Sequence, residues 1–415
     1  MPIDFNLTPL QSDLRRQARD FANDVLADVD ALTDSLPTAA ERFAATRPIY
    51  QEMIRKGFLR RCIPTQFGGD GSGLLDMAVI AEEFYAANGS VALTLFGTVL
   101  GLLPIFVAAT DAQRRRLLAP FLETSGAPLA AFALSEPGGS ANAAAAPPAE
   151  GVRTLARKHG GEWVISGSKH WISSATGWNG DGADLQCVVC RTDPDKAPVS
   201  GVTVIAVPGP QAGIILERAY EAMGHRAHLV PLYHFRDVRV SVENTIGSEG
   251  DGLSVVGASF QGATALVGIM AVGLMRRAFA FALEFARRER RGGLQPIIEH
   301  QTVGYALADA KMSIEAVRHL AWRACQAIDA RSPASVELAL HSKIFGSETA
   351  VRVVGDLMKI VGIDSYNQAL PLAGLMQDAM ALPLFGGSNM GVRRRQLHAL
   401  FMQPDYDPLA VSRGT

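Results

Sequence analysis

Several groups of residues in this 415-residue chain have types and spacings that suit chemistry. Cys187 and Cys190 form a C-x-x-C pair, the spacing of metal-binding and redox dithiols. His225 and His228 stand together in "AMGHRAHLV", and Asp364 and Asp378 supply carboxylates further along. The stretch "ARRERRGG", residues 286–293, gathers cations. The stretch "DAMALPLFGGSNMGVRRRQ", residues 378–396, joins an acid, an aromatic, two glycines, a hydroxyl and three arginines. Each group also has a plainer structural reading. "LQCVVC" reads as a strand, where positions three apart face opposite sides and do not converge on a metal. Cations closing a helix complement its dipole. The histidines border a strand turn, and Asp378 caps or pairs on a helix. What Gly386 does in its stretch depends on the elements around it.

Those elements belong to a soluble globular enzyme. Charged residues are 19%, hydrophobic residues 48% and the formal net charge is −2, which argues against disorder and against a nucleic-acid field. Four cysteines and an N-terminus, "MPIDFNLTPLQSDLRRQ", without the pattern of a signal peptide imply a cytoplasmic location. Residues 91–109 carry no charge and are long enough to span a bilayer. The run includes Thr94, Gly97, Thr98, Gly101 and Pro104 and lies between amphipathic patterns, so a helix buried in a bundle is expected and no membrane. Thr8 followed by Pro9 starts an amphipathic helix through Leu10, Leu14, Phe21 and Val25. The texture divides the chain into a helical domain (1–128), a β domain (129–245) and a second helical domain (246–415). In the middle, "EWVISGSKHWISSA", "LQCVVCRT", "GVTVIAVP", "GIILERAY" and "LVPLYHFRDVRV" read as strands of an antiparallel sheet.

This order, and the words "LTPLQSDLRRQARDFANDVL", "GFLRRCIPTQFGGDGSG", "FALSEPGGSAN", "ISGSKHWISSA", "AMGHRAHLVPLYHFRDVRV", "ENTIGSEGDGL" and "LMQDA" within it, resemble the acyl-CoA dehydrogenase superfamily over nearly the whole chain. The resemblance implies an α+β multidomain fold: an N-terminal helical domain, a middle antiparallel β domain and a C-terminal four-helix bundle. It implies FAD as cofactor, with FMN or reduced flavin from a partner reductase as the other forms. The "SEP" strand (Phe132, Leu134, Ser135) and the "WIS" strand (Trp171, Ser173) would line the isoalloxazine, where N–H and hydroxyl donors stabilise the reduced ring. Gly139 and Ser140 would close a turn against phosphate. Arg288 or Arg290 would meet the pyrophosphate across a subunit boundary, since Glu289 stands in the aligned arginine position. Gln301, Lys359, Gly362 and Ser388 complete the implied cofactor set, and the C-terminal helices imply a homotetramer or dimer.

Departures from the pattern bear on the reaction. A dehydrogenase of this family needs a carboxylate to remove a proton beside a thioester carbonyl. Its usual seat, the Glu of aromatic-Glu-Gly-Thr, is Gly386 in Phe385-Gly386-Gly387-Ser388, and the alternative seat is Ala263. The Phe-Asp-x-x-Arg that holds the coenzyme A arm has become Phe260-Gln261-Gly262-Ala263-Thr264. The glycine-rich word near the neighbouring subunit's nucleotide has become Lys359 to Ser365.

The reading is therefore a flavin-dependent oxidoreductase of monooxygenase or oxidase type. Its substrate is a small apolar or carrier-bound molecule held by Leu95, Phe96, Val99, Phe385 and Gly386, with a flavin reductase or electron-transfer partner and no metal. Leu93 belongs to the same apolar wall, which core packing explains equally well. Two other readings compete: an acyl-thioester dehydrogenase or desulfinase-like enzyme using another base, from among His225, His228, Asp364 and Asp378, and a non-catalytic flavin-binding homologue.

Overall fold

A computed structural model of the protein describes residues 6–146 and 148–412, so the first five residues of the stretch read against a signal peptide lie outside it. The first helix, α1 (Pro9–Phe21), begins as its sequence dictates. Thr8 Oγ1 accepts from Gln11 N at 3.2 Å and Gln11 returns a carbonyl oxygen to Thr8 N at 3.1 Å, a reciprocal cap with Pro9 at the first helical position. Short helical turns lead to α2 (Leu74–Ala87), α3 (Gly89–Ala108) and α4 (Asp111–Leu122).

The uncharged run forms α3, capped by the Asn88 side chain on Val91 N at 3.1 Å. It is apolar all round because it packs against α2, the sheet and a later long helix at once. Gly101 is required there: a Cβ at that position would lie 2.4 Å from the backbone at Ala130 and Ala131. Two helices are long and apolar enough to cross a membrane, α3 and α5 (Gly252–Arg288), and 67% of the apolar window of each is buried inside the molecule.

The middle of the chain forms an eight-stranded sheet: β1 (Ala130–Ala133), β2 (Leu155–His159), β3 (Glu162–His170), β4 (Leu185–Arg191), β5 (Val202–Pro208), β6 (Ile214–Ala219), β7 (Pro231–Ser241) and β8 (Thr245–Ile246). The order is β6-β7-β3-β2-β4-β5-β8, with β1 also on β4. The sheet is mixed rather than wholly antiparallel as the strand texture suggested. Among the described residues β1 and β2 run parallel to β4, and the other pairings are antiparallel. Alternating hydrophobicity carries no information on strand direction, so the texture could not reveal this. Cys187 and Cys190 lie on β4, unpaired and fully buried, and burial pushes the Cys190 thiol up to about 12. They are core residues.

The C-terminal part is a bundle of α5, α6 (Gln301–Asp329), α7 (Ser335–Val361) and α8 (Pro371–Ala381), followed by α9 (Arg394–Phe401). α5 reaches from the sheet domain, where it meets β5, through the bundle and also against α2 and α3. One long helix thus sets the three parts in fixed relation.

Candidate active site

The site is built outward from the end of β1. Phe132 is buried on the strand, while Leu134 and Ser135 lie just past its end and are half-buried. The residues read as the "WIS" strand are also not in a strand. β3 stops at His170, and Trp171 to Ser174 form a turn in which Trp171 and Ser174 have φ of 55° and 53°. Positive φ at a bulky residue is uncommon and persists only when surroundings enforce it. Here Trp171 N donates to Pro231 O at 3.0 Å, Ser174 N donates to Leu229 O at 2.8 Å, and the indole stacks on Tyr220 with centroids 4.3 Å apart. The other indole face is open, leaving Trp171 51% exposed.

Behind this edge lies a buried ion pair. Lys169 Nζ donates to Glu136 Oε1 at 2.8 Å, Leu134 O at 3.2 Å and Val189 O at 2.8 Å. Glu136 also accepts from Arg153 N, Thr154 N and Thr154 Oγ1. Burial opposes ionisation of Glu136, but Lys169 and Thr154 outweigh it and hold the carboxyl below the ordinary range. The pair ties the β1 end to β3, and sequence reading passed over it. The signal was present: a charged residue inside each of two cofactor words.

α3 closes the back. A Cβ on Gly97 would stand 2.8 Å from Ser173 Cβ and 3.9 Å from His228 Cε1, so the missing side chain lets the turn sit against the helix. His228 is buried, with Nδ1 3.1 Å from Thr94 Oγ1 and Nε2 without a partner among the described residues, and burial lowers it to about 3, a neutral imidazole. His225 N donates to Asp378 Oδ1 at 2.5 Å, and its ring touches those of Tyr85 and Phe385. These three proposed bases thus gather behind Phe385. Asp364 does not join them: it pairs with Arg291 at 2.8 Å.

The segment Phe385–Arg395 completes the wall. Phe132 stacks on Phe260 of α5 at 5.3 Å, and the Arg393 guanidinium sits 5.7 Å from the Phe260 ring centre. Arg393 Nε and Nη2 both donate to Gly386 O, at 3.0 and 2.5 Å. Arg395 donates to Ala141 O and Asn142 Oδ1, fastening the Gly139–Ser140 turn to this segment. Gly386 has φ +60°, and a Cβ there would meet nothing within 4 Å. Ala263 is half-buried on α5 and equally without a carboxylate. Ser388 Oγ is occupied as a cap, accepting from Gly391 N at 3.1 Å. Leu95, Phe96 and Val99 are buried in the core on α3, and Leu93 is half-buried.

The remaining cofactor residues form a separate group at one end of the bundle. Arg288 pairs with Glu284, Arg290 donates to Leu294 O, Gln301 opens α6 exposed, and Lys359 pairs with Asp356 beside Gly362, whose φ is +75°. Arg291 links the two helix ends, donating to Val361 O and pairing with Asp364. Among the described residues this group makes no hydrogen bond or ion pair to the sheet edge.

The residues at the edge fit a flavin. Trp171 presents an open aromatic face, Ser173 a hydroxyl, Gly138 and Gly139 free space for a close approach, and the buried hydroxyls of Ser174 and Thr176 have no partner among the described residues. By contrast the residues in the implied coenzyme A positions are turned inward. Gln261 Nε2 donates to Ser335 Oγ at 2.7 Å and Thr264 Oγ1 to Phe260 O at 2.6 Å.

The chain matches the acyl-CoA dehydrogenase N-terminal domain over residues 8–125, the middle domain over 131–238 and the C-terminal domain over 250–399. It is 39% identical to a nitroalkane oxidase of Podospora anserina, covering 100% of both chains, and 31% identical to a short-chain acyl-CoA dehydrogenase of Megasphaera elsdenii, covering 93% of this chain and 97% of that one. Among solved structures, nitroalkane oxidase crystallised as an active-site variant with 1-nitrooctane superposes with TM-score 0.95 at 36% identity, covering 100% of both chains. Butyryl-CoA dehydrogenase from Megasphaera elsdenii superposes with TM-score 0.84 at 28% identity, covering 97% of this chain and 100% of that one.

Proposed function

The chain belongs to the acyl-CoA dehydrogenase family and is a flavin-dependent oxidoreductase that uses FAD, and from that premise we propose that it is an oxidase of small apolar nitro compounds rather than a thioester dehydrogenase. One observation carries the reading: Gly386, where the family resemblance expects a carboxylate, has φ +60° and open space where a Cβ would stand. Gln261 and Thr264, spent on internal hydrogen bonds, leave a coenzyme A arm without its anchors. Similarity to nitroalkane oxidases along the full length supports the same class of substrate.

Bound flavin supplies a two-electron acceptor that O₂ can reoxidise. The chain's own residues orient it and shape the space above it. Trp171 and Ser173 frame the ring edge, Gly97 brings α3 up behind Ser173, and Phe385 and Phe260 line the approach. We propose also that the protein is a homotetramer or dimer. Ile363 and Tyr366 are 82% and 81% exposed beside the bundle-end cofactor group, as an unburied subunit contact would be. The test is oxygen uptake by the flavin-loaded protein with 1-nitrohexane and with octanoyl-CoA. Peroxide and nitrite formed with the nitro compound alone support the reading, and turnover of octanoyl-CoA alone refutes it.

A further inference from the structure

Arg393 is 5% exposed and has no carboxylate within 4 Å among the described residues. Its guanidinium donates to Gly386 O and to Gln396 Oε1, using three of its five N–H groups on neutral acceptors. A buried guanidinium without a counter-charge is costly, and its partner is ordinarily an acid beside it. In a nitroalkane oxidase whose structure was solved to analyse an arginine and an aspartate, the arginine lies seven positions after the aspartate. Arg393 lies the same distance after Gly386. The acid is missing from the seat while the cation remains.

Lys343 adds to the imbalance. It is fully buried, held by Leu382 O and Asn389 Oδ1, and lies 5.9 Å from the Phe385 ring centre. Burial and the nearby Arg393 lower it to about 7, the direction expected where positive charge is in excess. Glu348 opposes this only from a distance, being engaged with Arg394 and Asn389.

We propose that the substrate enters already ionised, as the nitronate anion of a primary nitroalkane, and that Arg393 is the residue that binds its charge. The inference rests on the oxidase reading above. A nitronate bears its charge on two oxygens in one plane, the shape a planar guanidinium donor pair matches. A carboxylate at position 386 would repel that anion, so glycine both removes the base and admits the substrate. The reaction balances without a protein base: R–CH=NO₂⁻ + O₂ + H₂O gives R–CHO + NO₂⁻ + H₂O₂. The carbon–nitrogen bond breaks, a carbon–oxygen double bond forms, and the two electrons lost by the carbon reduce O₂, which takes up two protons; bound flavin would supply the two-electron carrier.

Carbon acids exchange protons slowly, so neutral 1-nitrohexane and its preformed anion can be presented separately to the flavin-loaded, full-length protein at one pH. The expected result is a kcat/KM at least about 10²-fold higher for the anion, the lower range of a general-base contribution. In calorimetry on the oxidised protein, hexanoate should bind more tightly than hexanamide. Arg393→Gln should weaken hexanoate about 10-fold with hexanamide unchanged, and Arg393→Lys should recover part of the loss. Neutral nitrohexane oxidised as fast as its anion overturns the inference, and so does equal binding of hexanoate and hexanamide; neither comparison requires a variant to fold. If neither nitro form reacts and octanoyl-CoA bleaches the flavin, the oxidase reading fails and the inference with it.

Discussion

Glu136 and Lys169, behind the sheet edge, form a buried pair in which the carboxylate takes donors from three residues and the ammonium reaches three acceptors. Across the site, Arg393 is a buried cation facing a glycine, with one carbonyl oxygen and one side-chain amide oxygen in place of an acid. In the first region every strong electrostatic demand is met within the chain; in the second a demand is left open. The difference separates cofactor from substrate. A framework that must hold one flavin can be fully satisfied in advance, whereas a site that binds a charged ligand has to leave a complementary charge unspent.

The contrast can be sharpened or broken by substitution. The largest expected effect is from Gly386→Asp. Space is available and Asp tolerates left-handed backbone, so oxidation of neutral 1-nitrohexane should rise by about 10² or more in kcat/KM while the anion is disfavoured. Unchanged preference between the two forms would mean the seat is not above the reacting carbon. Lys169→Met removes half of the satisfied pair and should cost about 3 kcal/mol in urea unfolding, with loss of flavin. A loss under 1 kcal/mol would show that the edge does not depend on the pair.

His228 predicts a pH effect. Its folded value, about 3, lies below the unfolded one, so the unfolded chain binds the extra proton and the contribution to stability falls as pH drops from about 6.5 towards 3. Between pH 7 and 5 the loss should be roughly 2 kcal/mol, and His228→Leu should reduce that acid sensitivity. Equal pH dependence in the variant would place the sensitivity elsewhere. Trp171→Ala should weaken flavin binding about 10-fold, the order of one aromatic contact; titration giving unchanged affinity and spectrum would remove Trp171 from the ring edge. The smallest effect is expected from Arg288→Ala. Its exposed pair with Glu284 contributes under about 1 kcal/mol, so any marked loss of flavin would have to come from a subunit contact, read by light scattering alongside occupancy.

Much of this arrangement was legible in the residues, and the parts that were not have physical reasons. Thr8-Pro9 and the uncharged run became a capped helix and a buried helix because local capping and hydrophobic patterning decide those outcomes. The Trp171–Ser174 stretch read as a strand because β-formers dominate it, yet tertiary hydrogen bonds to Pro231 and Leu229 bend it into a turn. The parallel pairing of β1 with β4 depends on how a long loop returns, which periodicity does not encode. Gly386 reads as an empty seat from its neighbours in the chain. The solitary charge of Arg393 is not legible in this way, because a count of arginines and acids does not say which of them meet.

The most direct test of the account is anaerobic mixing of the purified flavin-loaded protein with octanoyl-CoA and, separately, with the 1-nitrohexane anion, following the visible flavin band. The account predicts that the nitronate bleaches the band and that O₂ restores it with formation of peroxide and nitrite, while octanoyl-CoA leaves the band intact. Bleaching by octanoyl-CoA with no response to the nitronate would contradict it, and would mean that a base for thioester chemistry stands somewhere other than position 386.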